Sequence, residues 1–126
     1  MNNKACKYII SLIRTIPISV HKGQHALLLA DNSAESIALY GFFLKNNVPL
    51  ILLNASMRDE QVQEYMDEYR PQWFMYPKNR NLPQYSGGQT GHSENRKRYQ
   101  CYETACEWNG YVIASRGNAG FELTYH

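Results

Sequence analysis

Cysteine is scarce and odd in number: Cys6, Cys101 and Cys106 are the only three in 126 residues, at no metal-ligand spacing. A disulfide framework is therefore not expected, and a reducing, cytoplasmic setting fits best. Long apolar runs are also missing. The longest, such as LILL at 50–53, fall far short of the ~20 residues that a membrane span needs, so no membrane partner is expected. Lys4 and Lys7 open the chain, but Arg14 breaks the apolar stretch behind them and no small-residue cleavage site follows. That segment reads as a helix, not a signal peptide. A dominant charge is lacking too. Thirteen basic and eleven acidic residues leave a net +2, which argues against nucleic acid as a partner. Val, Ile, Leu and Phe supply only 27 residues, just above the level at which a packed core becomes doubtful. Ten tyrosines and two tryptophans add area, enough for the single domain that this length suggests.

What is present divides into four stretches. Residues 1–19 read as an N-terminal helix, with Cys6, Ile9, Ile10, Ile13 and Ile16 at helical steps and Pro17 as its stop. Residues 20–77 read as a parallel α/β unit. HALLLA at 25–30 is a short apolar run of the kind a buried parallel strand shows. Asn32 with Glu35 suggests a capping box opening a helix to about Lys45, whose inner face would be Ile37, Tyr40, Gly41 and Leu44. VPLILLN at 48–54 is read as a second buried strand. Ser56 and Asp59 repeat the cap-plus-acid pattern before Val62, Tyr65, Met66 and Tyr69, and QWFMY at 72–76 is a third strand. This alternation predicts parallel strands with right-handed crossovers, a Rossmann-like β-α-β-α-β unit. Residues 78–98 are nearly free of apolar side chains and read as a flexible loop. Residues 99–126 read as antiparallel strands. Asn109-Gly110 is a strong hairpin signal, and Phe121, Leu123 and Tyr125 alternate with polar residues. The chain ends inside that last strand, which suggests a truncation.

Few residues suggest chemistry. The turn Asp31-Asn32-Ser33 joins a strand end to a helix start, where free N–H groups can hold an anion. No glycine there admits a phosphate closely, and helix capping is the simpler reading. SGGQTG at 86–91 has small residues suited to wrapping phosphate, but its flanks lack the strand, the helix start and the Gly-Lys-Ser/Thr ending. Arg96-Lys97-Arg98, with Lys78 and Arg80, makes the loop basic. A solvated face is the simpler account, and a basic-loop interaction module is an alternative whose binding would have to weaken with salt. Neither His21 with His25 nor Cys101 with Cys106 reads as a metal pair, and no nucleophile with a partnered base is apparent.

Residues 20–77 nonetheless resemble, in order and spacing, the N-terminal part of adenylate-forming enzymes, the group of acyl-CoA synthetases, aryl-acid ligases and peptide-synthetase adenylation domains. The matching positions are Leu27 to Leu29, Asp31-Asn32-Ser33, Leu44-Lys45-Asn46-Asn47, Leu53-Asn54 and Ser56 to Glu60. Asp31 stands where the family favours Pro, and Asn46-Asn47 where it favours Ala-Gly. The resemblance implies a parent that activates a carboxylic acid with ATP and Mg²⁺ and passes the acyl group to CoA or a carrier-protein thiol. The present chain would be its N-terminal structural portion, partnered by the rest of the ligase. The family's phosphate loop, Thr-Ser-Gly-Thr-Thr-Gly-x-Pro-Lys after a strand, would lie beyond His126, so no catalytic or cofactor-binding residue is assigned. The alternative is a stand-alone small α/β domain binding an anion or nucleotide at Asp31, Asn32 and Ser33. As a fragment, a sheet cut before its neighbours would leave unpaired strand edges, which predicts self-association, with the last strand as one route.

Overall fold

The apolar run at 25–30 becomes an interior strand of a five-stranded sheet. The computed structural model describes residues 3–80, 82, 102 and 104–116. In chain order these form α1 (Asn3–Arg14), β1 (Ala26–Ala30), α2 (Ala34–Lys45), β2 (Leu50–Asn54), α3 (Asp59–Tyr69), β3 (Trp73–Pro77), a turn of 3₁₀ helix (Lys78–Arg80), β4 (Thr104–Trp108) and β5 (Tyr111–Ser115). The sheet order is β2-β1-β3-β5-β4. β1 pairs in parallel with β2, from Ala26↔Leu50 to Ala30↔Asn54, and with β3. β5 is antiparallel to both β3 and β4. The architecture is thus α/β with a mixed sheet, parallel in its first three strands.

Alternation along the strands feeds two cores. Ala26, Leu28, Trp73, Met75 and Ile113 face α1, the segment after it and α2, where Leu12, Ile16, Ala38, Leu39 and Phe43 meet them. Leu27, Leu29, Phe74, Tyr76 and Val112 face the other way, onto Val62 and Met66 of α3 and onto Leu82 and Tyr102. Polar anchors bind each layer at its rim. Trp108 Nε1 donates to Thr15 Oγ1 at 2.8 Å, tying β4 to the end of α1. Tyr102 OH donates to the Pro71 carbonyl, and Tyr76 OH to that of Leu82 at 3.1 Å. Asn109 and Gly110 both take positive φ, 47° and 88°, as a two-residue hairpin turn requires.

Several expectations need correction. α1 ends at Arg14, before Ile16, and Cys6 and Ile10 face outward while Leu12 is its buried residue. α2 is capped by Ser33 rather than Asn32, because the Ser33 side chain reaches the Ser36 N–H and places Glu35 within the first turn. Its expected inner face is turned out: Ile37, Tyr40 and Leu44 are 53%, 44% and 61% exposed, whereas Ser36, Ala38, Leu39 and Phe43 are buried. A helix apolar on nearly every side offers periodicity no polar stripe to orient it. β2 is an edge strand, not a buried one, and Leu52 is half exposed. α3 starts after Arg58, and Ser56 instead donates its hydroxyl to Asn54 Oδ1. Tyr65 and Tyr69 stack on each other at the surface of α3. The basic stretch expected to be loop from residue 78 begins as ordered structure: Arg80 donates to the Ala55 carbonyl at 2.7 Å and pairs with Asp59. SGGQTG, Arg96-Lys97-Arg98, Cys101 and the alternating residues 121–125 lie outside the described residues.

Candidate functional site

Four polar side chains converge at the turn after β1. Asp31 leaves β1, Ser33 caps α2, Ser36 enters from its first turn, and Tyr111 arrives from the start of β5. β5 is antiparallel, so its first residue lies at the same end of the sheet as the last residue of β1. Tyr111 OH donates to Asp31 Oδ1 at 2.8 Å. The Asp31 N–H donates to Ser36 Oγ at 3.1 Å. Ser36 Oγ lies 2.7 Å from Tyr111 OH. Because Tyr111 gives its proton to Asp31, Ser36 is the donor in that last contact. The result is a closed ring that runs from the Asp31 N–H through Ser36 and Tyr111 to the Asp31 carboxylate. The same Asp31 oxygen also accepts from Ser33 N at 3.2 Å and from Ser33 Oγ.

This ring sets the charges. Desolvation alone would raise the Asp31 carboxyl, but the bonds from Ser33, Tyr111 and the local backbone outweigh it and hold the group below its ordinary value. Burial pushes the Tyr111 phenol up, and donation to Asp31 adds to that shift. At neutral pH the carboxylate is ionised and the phenol protonated, each in the state the ring requires. Such a set fixes geometry: every proton is already committed, and neither group is poised as an acid or base near pH 7. Ser36 and Tyr111 are buried, at 4% and 2% exposure.

Of the residues singled out from sequence, Asp31 belongs to the ring and Ser33 bonds to its carboxylate from outside it, whereas Asn32 stands exposed in the turn between them. Tyr111 and Ser36 were missed. Ser36 carried no local signal beyond its place one turn past Ser33, and Tyr111 is 80 positions from Asp31; only the Asn109-Gly110 turn marked where β5 would start. An anion approaching this turn meets the ionised Asp31 carboxylate, already bonded to the Ser33 N–H.

The opposite end of the sheet has its own polar knot. Gln72 Nε2 donates to Ser115 Oγ at 2.9 Å and to the Arg116 carbonyl at 2.7 Å. The Arg116 N–H donates to the Gln72 carbonyl, and its Nη1 to that of Arg70 at 2.9 Å. Among the described residues, Arg116 Nε is the one buried side-chain polar atom without a partner. Burial lifts the Cys106 thiol to about 11, with Glu107 adding to it, so it stays protonated and unreactive. Among the described residues no three His, Cys, Asp or Glu side chains gather as a metal site, and no helix is long and apolar enough to cross a membrane. No protein-family profile, curated protein or solved structure matches this chain.

Proposed function

We propose that this chain is the N-terminal structural portion of an ATP-dependent acid–thiol ligase of the adenylate-forming kind, without catalysis of its own. One observation carries the reading. The stretches that resemble those enzymes fall in order along one parallel array: Leu27 to Leu29 within β1, Asp31 to Ser33 between β1 and α2, Leu44 to Asn47 at the end of α2, Leu53-Asn54 at the end of β2 and Ser56 to Glu60 at the start of α3. In that reading the array is a Rossmann-like unit with right-handed crossovers, and the Asp31 ring is a structural brace, not a phosphate site. In the same reading later segments bind ATP, Mg²⁺, the carboxylic acid and the acceptor thiol.

The test is to extend the reading frame beyond His126 and assay both lengths for acid-dependent pyrophosphate exchange. We expect a continuation carrying the family's later nucleotide-binding motifs, and no exchange by the present chain. A stop codon after His126, or pyrophosphate release by the isolated chain, overturns the proposal. Saturable anion binding that Asn32→Leu weakens would instead establish the stand-alone binding domain.

A further inference from the structure

The flank of the sheet bounded by β2 and α2 is left unfinished in a way that the other flank is not. β2 is Leu-Ile-Leu-Leu-Asn, without charge or proline, and it pairs with β1 through all five residues without a bulge. Its outer backbone groups have no neighbouring strand among the described residues. Edge strands are usually blunted by charge, proline or bulges. The opposite edge, β4, follows that practice, with Glu107 exposed and paired to Lys78 at 3.1 Å. On β2, Leu52 shares a face with Leu28 and Leu50, the face covered by α2. Ile37, Tyr40 and Leu44 of α2 fall within an arc of about 60° at 3.6 residues per turn. Gly41, where an added Cβ would stand 3.3 Å from Ile13 Cδ1 of α1, lies outside that arc.

We infer that two copies of this chain pair through this flank, β2 antiparallel to β2 about a two-fold axis perpendicular to the sheet. Such an axis keeps both α2 helices on one face of a continuous ten-stranded sheet. α2 packs over β1 and β2, so the two helices would lie about two strand spacings apart, ~10 Å, which matches the 8–10 Å of packed helices. One operation thus closes the open edge and brings the two Ile37-Tyr40-Leu44 stripes together. Leu52, Ile37, Tyr40 and Leu44 are each about half exposed, roughly 100 Å² apiece. With both copies and the strand backbone counted, the buried area is on the order of 1,000 Å², the lower end for a specific interface and the range of a weak, reversible dimer. The inference concerns the chain as it stands and does not rest on the ligase reading.

Sedimentation velocity of the full chain tests it, from micromolar to sub-millimolar concentration, with reductant present so that exposed Cys6 adds no covalent dimer. We expect a concentration-dependent monomer–dimer equilibrium. Leu52→Lys and Leu44→Glu should each raise its dissociation constant at least ~10-fold, because a charge would be trapped in an apolar contact. Both sites are exposed, so circular dichroism should stay unchanged, as should Tm at concentrations where the chain is monomeric. Amide exchange at 50–54 should slow as the dimer forms. A monomer at every concentration overturns the inference, as does a dimer indifferent to both substitutions or without added protection at 50–54.

Discussion

α2 and α3 hold matching places, each linking two parallel strands, yet their outer surfaces are opposites. α3 presents Asp59, Glu60, Glu64, Asp67 and Glu68 to solvent, with only Val62 and Met66 buried. α2 has two charged residues, Glu35 and Lys45, near its ends, and exposes Ile37, Tyr40 and Leu44 between them. A crossover helix that faces water needs one apolar stripe, and α3 has one. α2 has two. The difference teaches that charge dominates the exposed surface of α3, whose two surface tyrosines stack on each other, while α2 has apolar surface to spare for an association.

The sharpest way to probe this contrast is within α2 itself. Phe43 is fully buried beside the half-exposed Leu44. Phe43→Ala should cost ~3–5 kcal/mol in urea unfolding, whereas Leu44→Gln should stay within about 0.5 kcal/mol. Similar losses at the two positions would mean that the stripe is part of the core after all. A smaller effect is expected at the brace beneath the first turn of α2. Tyr111→Phe removes the donor to Asp31 and leaves Ser36 without its acceptor, at a cost of ~1–3 kcal/mol. The start of α3 is tied separately, by Arg80 to Asp59 and the Ala55 carbonyl, so the loss should appear as faster amide exchange around residues 31–36 and not in α3. The smallest effect concerns pH. Asp31 titrates lower in the folded than in the unfolded chain. Its contribution is therefore complete above the unfolded carboxyl value near 3.9 and fades as pH falls through the lower folded value. Asp31→Asn should flatten the stability–pH curve below about pH 4. An unchanged slope would show that the ring leaves the carboxyl unperturbed.

Much of this architecture was legible in the residues. The alternation of apolar runs and capped helices foretold three helices and the parallel trio, and Asn109-Gly110 foretold the hairpin. Orientation was harder to read. VPLILLN and HALLLA look alike as continuous apolar runs, and only the order β2-β1-β3 tells that one is an edge and the other interior. The facing of α2 was hidden for the related reason that both of its sides are apolar. The cap moved from Asn32 to Ser33 because either residue can cap, and the Asp31–Ser33 bonds select the second. Tyr111 could not be placed by local pattern at all: its role depends on β5 pairing with β3, a contact between distant parts of the chain.

The hairpin turn at Asn109-Gly110 bears on the order in which the molecule assembles. Two residues separate β4 from β5, so their pairing can form on its own within ~1–10 μs. β5 must then find β3, across pairs such as Met75↔Ile113 that lie about forty positions apart, and closures of that kind set the pace of folding. Tyr111 sits beside the turn and reaches Asp31 only after that search ends, so the brace becomes a late event that locks a sheet already built. Weakening the turn, as with Gly110→Val at its positive φ, should slow folding if the hairpin is formed in the transition state, whereas Tyr111→Phe should chiefly speed unfolding.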